Sequence, residues 1–267
     1  MNDKHPFSRS DLDELDERLL SKASAVVAMQ VVHAGNHGMS VIGYRHDCDA
    51  GHSLATAVKM AEWEAERGYR SSYYILHTSP YWGWPEFRES LERIAVCGHE
   101  IGIHADAIAE ALLTGRDPDL ILDEALERLR SYGFPVRGVA GHGNKLCYPG
   151  KRPGEVSFAN DEQFEECRRP KEGAADREIV RGQHKIRLRP RPLADFGLDY
   201  SALWLSIKNP FRLSDSGGHW VDPGWEPSVE KFHDLQSGRR PHHVAQMHLL
   251  VHPDWWADAV FLSAVTL

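Results

Sequence analysis

From residue 40 onward, short apolar runs rich in β-branched and aromatic residues alternate with segments whose apolar positions recur at helical spacing. Such alternation builds βα units and a largely parallel sheet or barrel, because each strand is covered by the helix that follows it. Strands are expected near Val41 to His46, Ser71 to Leu76, Glu100 to His104, Val136 to Ala140, Tyr200 to Ile207 and His243 to Val251, and more weakly over Ile179 to Ile186. Helices are expected over Ser53 to Arg67, Glu86 to Cys97 and Asp119 to Tyr132, stopped by Gly68, Gly98 and Gly133 in turn. Ahead of them, Leu12, Leu15, Leu19 and Leu20 follow Ser10 at helical spacing and predict a helix to about Val32, packed on the main body. The stretch from Gly141 to Arg177 is richer in Gly, Pro and charge, as in a long loop or insertion of the kind that carries specificity. The expected organisation is a helical extension over 1–38 and an α/β domain over 39–267, with the insertion at about 141–177.

Composition changes this picture little. At 267 residues, 42% hydrophobic and 26% charged, the chain suits one large globular domain. A formal net charge of -8 supplies no basic face for nucleic acid or an anionic membrane surface, so neither is an expected partner. The local basic run Arg181 to Arg191, broken by Pro190, reads as a solvated loop. Cys48, Cys97, Cys147 and Cys167 form no CxxC pair, which excludes a zinc ribbon or a thioredoxin-type redox motif. The segment Met1 to Asp16 is polar and acidic, without the basic and apolar runs of a signal peptide, and no stretch reaches membrane-spanning length. A cytoplasmic protein without membrane insertion is the expectation, its oligomeric state open.

Candidate chemistry gathers at the ends of the expected strands, where a parallel βα architecture opens its loops onto one face. The first strand ends in Asp47 and Asp49, the second in His77, the third in His104, the fourth in His142 and the last in His252. Strand parity puts Asp47 and Asp49 on one face and Cys48 elsewhere. Two carboxylates so close repel unless one faces a cation, which leaves the other available as a base. The same parity aligns His104 with Glu100 and Gly102 and turns His99 away, so His99 is excluded from the site.

Three segments, Arg45-His46-Asp47-Cys48-Asp49, Gly98-His99-Glu100-Ile101-Gly102-Ile103-His104 and His252-Pro253-Asp254-Trp255-Trp256, resemble the polysaccharide deacetylase (NodB-homology, carbohydrate esterase family four) superfamily over residues 40 to 256. The resemblance implies a distorted (β/α)7-type barrel, the glycoside hydrolase/deacetylase fold. It also implies Asp47 as general base, Asp49 and His104 as ligands of a divalent metal, most simply Zn2+, and His252 as general acid. By the same resemblance Asp215, in the segment running to Trp220, orients His252, and Arg137 steadies Asp47. One departure matters. The family's HxxxH pattern places a second histidine four residues on, and here that position is Ile108, which offers no lone pair. Replacement ligands are His142, favoured between Gly141 and Gly143, then Asp106 and His77.

The implied activity is metal-dependent hydrolysis of an N-acetyl or related acyl group on a saccharide, with His77, Tyr81, Trp82 and Trp220 as candidate substrate contacts. Two alternatives stay open: a metal-free or differently ligated hydrolase of another C–N amide bond, and a non-catalytic module that binds glycan or protein through Tyr81, Trp82 and Trp84.

Overall fold

A computed structural model of the chain describes residues 7–35, 40–150, 152, 154–167, 176–208, 211–221, 223–236 and 246–261. In chain order the elements are α1 (Arg9–Arg18), β1 (Ala25–Val27), α2 (Met29–Ala34), β2 (Val41–Cys48), α3 (Ser53–Glu66), β3 (Ser72–Leu76), α4 (Phe87–Val96), β4 (Glu100–Ala105), α5 (Ala107–Thr114), α6 (Pro118–Ser131), β5 (Gly138–Gly141), β6 (Arg177–Arg181), β7 (His184–Leu188), β8 (Tyr200–Ser201), α7 (Ala202–Lys208), β9 (Arg212–Ser214), α8 (Trp225–Gln236), β10 (Gln246–Val251) and α9 (Ala257–Phe261). Seven strands follow the order β8-β5-β4-β3-β2-β10-β9 in a curled, parallel half-barrel sheet, and β1 pairs with β2 off this path. The fold is therefore α/β, with the alternation expected from the apolar pattern. Among the described residues no helix is long and apolar enough to cross a membrane.

Two compact units emerge from the packing. The first comprises Met1–Ile75, Ser79–Ile101 and Leu205–Leu267. Its core unites Leu12, Leu15, Leu19 and Leu20 with Ile42 and Tyr44 of β2, Met247, Leu249 and Val251 of β10, and Trp256. The N-terminal segment thus shares the core of the strands that follow it. It is not one helix to Val32, however: α1 stops at Arg18, and Leu19 leaves helical geometry at φ -129° and ψ -65°. Val26 and Val27, β-branched and suited to a pleated surface, then pair in parallel with Ile42 and Gly43. Because β10 occupies one side of β2 along Val41–His46, β1 and β3 divide the other, β1 beside residues 41–43 and β3 beside 45–48. Gly43 permits this arrangement, since a Cβ there would come within 2.6 Å of the Val32 side chain of α2.

The second unit comprises Leu76–Thr78 and Gly102–Trp204. Here α5 and α6 accompany β5 and β8, and the region expected as an insertion holds short 3-10 turns at Lys145–Cys147, Asn160–Gln163 and Glu165–Cys167. The weak strand expected over Ile179 to Ile186 is two strands, β6 and β7, paired antiparallel about Gly182 at φ 62° and separate from the main sheet. Tyr200 to Ile207 also departs from expectation, with only two residues in β8 before α7 begins. The Ser201 hydroxyl accepts the Trp204 N–H at 3.1 Å, a cap that turns an apolar run of ambiguous period into a helix. Residues 243–245 of the last expected strand lie outside the described residues, and β10 begins at Gln246.

Candidate functional site

In the first unit, β2 carries its chemistry on alternate faces. One face presents Arg45 and Asp47, both buried, with Arg45 Nη2 3.1 Å from Asp47 Oδ2. The other presents His46, whose Nε2 lies 2.7 Å from the buried Glu64 of α3 and whose ring stacks on Tyr73 at 4.3 Å. The guanidinium that meets Asp47 is therefore two residues away on the same strand. Arg137, expected for that task, stands 56% exposed, 3.8 Å from Asp199. The pairing of Arg45 with Asp47 was implicit in strand parity, by which residues i and i+2 share a face.

The end of β2 is held from two directions. Tyr81 donates its hydroxyl to the Cys48 carbonyl at 2.6 Å, fixing the peptide between the two aspartates. Beyond Asp49, the buried Asp254 carboxylate accepts from Ala50 N–H at 3.3 Å and from the Ser53 hydroxyl. Burial and the charge of Asp49 push the Asp254 carboxyl above its usual range, outweighing its hydrogen bond from Ser53. Tyr81 and Trp82, expected as substrate contacts, are buried and pack on Phe87 at 5.8 and 4.9 Å between ring centroids. Trp220 is likewise engaged in aromatic packing, against Phe7, Trp225 and Trp256.

Register then brings β10 into the site. Val251 pairs with His46, so His252 stands level with Asp47. Asp215, fully buried just past β9, accepts from His252 Nδ1 at 2.6 Å, from the His252 backbone N–H at 2.9 Å and from Trp256 Nε1 at 2.8 Å. Burial alone would lower the His252 pKa. The charge and hydrogen bond of Asp215 oppose it, Asp47 and Asp49 add to them, and the imidazole is pushed up to about 9. With Nδ1 turned to Asp215, the proton available for transfer is the one on Nε2. Trp256 is the indole that completes this group, a role that sequence reasoning left to the Asp215–Trp220 segment.

In the second unit, His104 ends β4 with its Nδ1 2.9 Å from the Ala140 carbonyl. A carbonyl can only accept, so Nδ1 carries the proton and Nε2 retains the lone pair that a metal needs. His142 follows β5, its backbone N–H bonded to Ala105 O at 2.8 Å and its Nδ1 3.3 Å from Asp106. Gly141 permits the close passage of the loop, since a Cβ there would sit 2.8 Å from the Asp161 backbone nitrogen. His77 is differently employed: its Nε2 accepts the Asp106 N–H at 2.9 Å and its Nδ1 lies 3.3 Å from Glu110. Ile108, completely buried in α5, belongs to the core. Cys147 offers no ready nucleophile, because burial pushes its thiol up to about 11. A cavity of about 400 Å³ opens beside His142, walled by Tyr148, Phe158 and Leu203.

Within the second unit His104 and His142 lie with ring centroids 5.0 Å apart, an arrangement able to offer two imidazole ligands to one metal ion. Two imidazoles with one carboxylate constitute a donor set that suits zinc with an open coordination position. The Nδ1 contact of His104 agrees with that use. No protein-family model matches this chain, and neither does any curated protein or solved structure.

Proposed function

We propose that this chain is a metal-dependent hydrolase that removes an N-acetyl or related acyl group from a saccharide, a divergent member of the polysaccharide deacetylase superfamily with His142 in place of the missing second histidine. The approach of His142 to His104, ring centroids 5.0 Å apart, carries the reading, because the motif resemblance predicts Asp49 and His104 as ligands and leaves the third open. A divalent cation held by these side chains, most simply Zn2+, would polarise the acyl carbonyl and make water acidic enough to lose a proton near neutral pH. Asp47, held by Arg45, accepts that proton as water attacks. His252, protonated at neutral pH through its partnership with Asp215, donates from Nε2 to the departing amine nitrogen. The apolar cavity beside His142 is large enough for a sugar ring.

The test combines metal analysis with turnover. Purified protein is expected to hold a divalent ion at one per chain and to release amine from N-acylated amino sugars. Asp47→Asn should reduce turnover by two orders of magnitude or more, the usual reach of general-base catalysis being about 10²–10⁴-fold, and leave metal content unchanged. Parent-level turnover by Asp47→Asn would refute the assignment of the base. Absence of metal after purification and reconstitution would refute the metal-dependent reading.

A further inference from the structure

Asp106 occupies the N-cap position of α5, yet its carboxylate caps nothing. An N-cap aspartate ordinarily accepts from the backbone N–H two or three residues on. Here that service falls to Asn160, whose Oδ1 accepts the Ala109 N–H at 3.1 Å from the far side of the insertion. The Asp106 carboxylate is released toward His142 instead. It is 4% exposed, and each oxygen is held. Oδ1 accepts from Asn160 Nδ2 at 2.8 Å and lies 3.3 Å from His142 Nδ1 without the alignment of a hydrogen bond, while Oδ2 accepts from Asn144 Nδ2 at 2.7 Å and Thr78 Oγ1 at 3.3 Å. Its backbone is fixed too, by His77 Nε2.

A buried carboxylate is costly without a cation or several donors. The amides of Asn144 and Asn160 and the Thr78 hydroxyl supply its donors, and His142 Nδ1 stands 3.3 Å from it. Asn160 additionally donates to the His142 carbonyl at 2.8 Å, so one amide ties together the ligand's backbone, the carboxylate behind its ring and the first turn of α5. A carboxylate 3.3 Å from Nδ1 electrostatically favours the tautomer protonated there and leaves Nε2 as the more basic lone pair, the arrangement that orients histidine ligands of metals.

We infer that Asp106 is the positioning residue for His142: clamped by Asn144 and Asn160, it holds the His142 ring with Nε2 toward the cation and so makes this loop histidine a ligand in place of a helical one. The inference rests on the metal-dependent reading above. It also explains why the substitute ligand lies beside the insertion, since Asn144 and Asn160 come from that segment and fix the carboxylate that His142 needs.

The experiment is zinc binding to metal-free full-length protein, measured by competition with a chromophoric chelator for wild type and Asp106→Asn, with the thermal melt of both metal-free proteins recorded alongside. Loss of an outer carboxylate behind a ligating histidine typically lowers metal affinity by about 10–100-fold, and a loss in that range is expected here. Equal affinities in the two proteins would overturn the positioning role, as would a loss matched by collapse of the metal-free melt. Failure of the wild-type protein to bind zinc would overturn the metal reading itself, which keeps the two failures distinct. If Asp106→Asn does not fold, ¹⁵N NMR of the zinc-loaded wild type decides: a protonated Nδ1 and a ligating Nε2 in His142 support the inference, and a ligating Nδ1 overturns it.

Discussion

Replacing Asp215 by asparagine removes one charge from a fully buried position while nearly preserving its shape. In the parent, the carboxylate receives the His252 ring N–H, the His252 backbone N–H and the Trp256 indole N–H. An asparagine meets all three groups only with its Nδ2 toward the imidazole, which must then be neutral and accept at Nδ1. The imidazole, at about 9 in the parent against 6.5 for an isolated histidine, loses its largest raising influence and keeps the burial that lowers it. It should therefore titrate near or below 6.5 in Asp215→Asn. The interval between 6.5 and about 9 corresponds to roughly 3 kcal/mol. Since folding raises this pKa, the stabilisation is fully present below pH 6.5 and disappears as pH rises through about 9.

Urea denaturation of both proteins, stripped of metal by chelator, should thus show a stability gap about 3 kcal/mol wider at pH 6 than at pH 10. The remainder at pH 10 reflects the exchange of hydrogen bonds to a charged acceptor for neutral ones, about 1–3 kcal/mol. Proton NMR of the His252 ring gives the midpoints directly. An imidazole titrating at the same pH in both proteins, or a stability gap independent of pH, would refute the reasoning. In the proposed reaction, the basic limb of the pH–rate profile should move down with the imidazole.

Glu64→Ala should cost about 3–5 kcal/mol in urea denaturation, because it strands His46 and the hydroxyls of Ser71 and Tyr73 in a buried site; a loss under 1 kcal/mol would show that the network is dispensable. Tyr81→Phe deletes the bond to the Cys48 carbonyl and should cost about 1 kcal/mol by the same assay, with the larger relative effect on turnover if the peptide between Asp47 and Asp49 loosens. Ile108→Ala should cost about 2–5 kcal/mol as a core truncation, and its metal content per folded molecule, by elemental analysis, should equal that of the parent. A drop in metal content there would place residue 108 closer to the ligands than its burial indicates.

Much of the site was legible because its carriers are strand ends, and strand ends are local. Apolar runs and glycine stops located β2, β3, β4 and the helices α3, α4 and α6 to within a few residues, and period-2 parity along β2 sets Asp47 apart from Cys48. Gly68, Gly98 and Gly133 all adopt positive φ, 75°, 85° and 95°, where a glycine terminates a helix at least cost. The flanking glycines of His142 likewise hinted at close approach, which Gly141 makes to Asp161.

Local pattern could not reveal which partner each charged group meets. Asp215 finds His252 across 37 residues, Asp254 finds Ser53 across 201, and Asp106 exchanges its capping duty with Asn160 across 54. Such pairings depend on register and burial, and burial also decided that Tyr81 and Trp82 serve the core while Arg137 stays at the surface. Two apolar segments, Ala25–Val27 and Ala202–Lys208, took their form from a neighbouring strand and a capping serine. Sequence alone therefore set the secondary-structure order and the residue types at the strand ends, since both follow from short-range periodicity and turn chemistry. Tertiary structure decided which of those residues face one another, because desolvation, hydrogen bonding and charge act between atoms brought together only when the sheet forms.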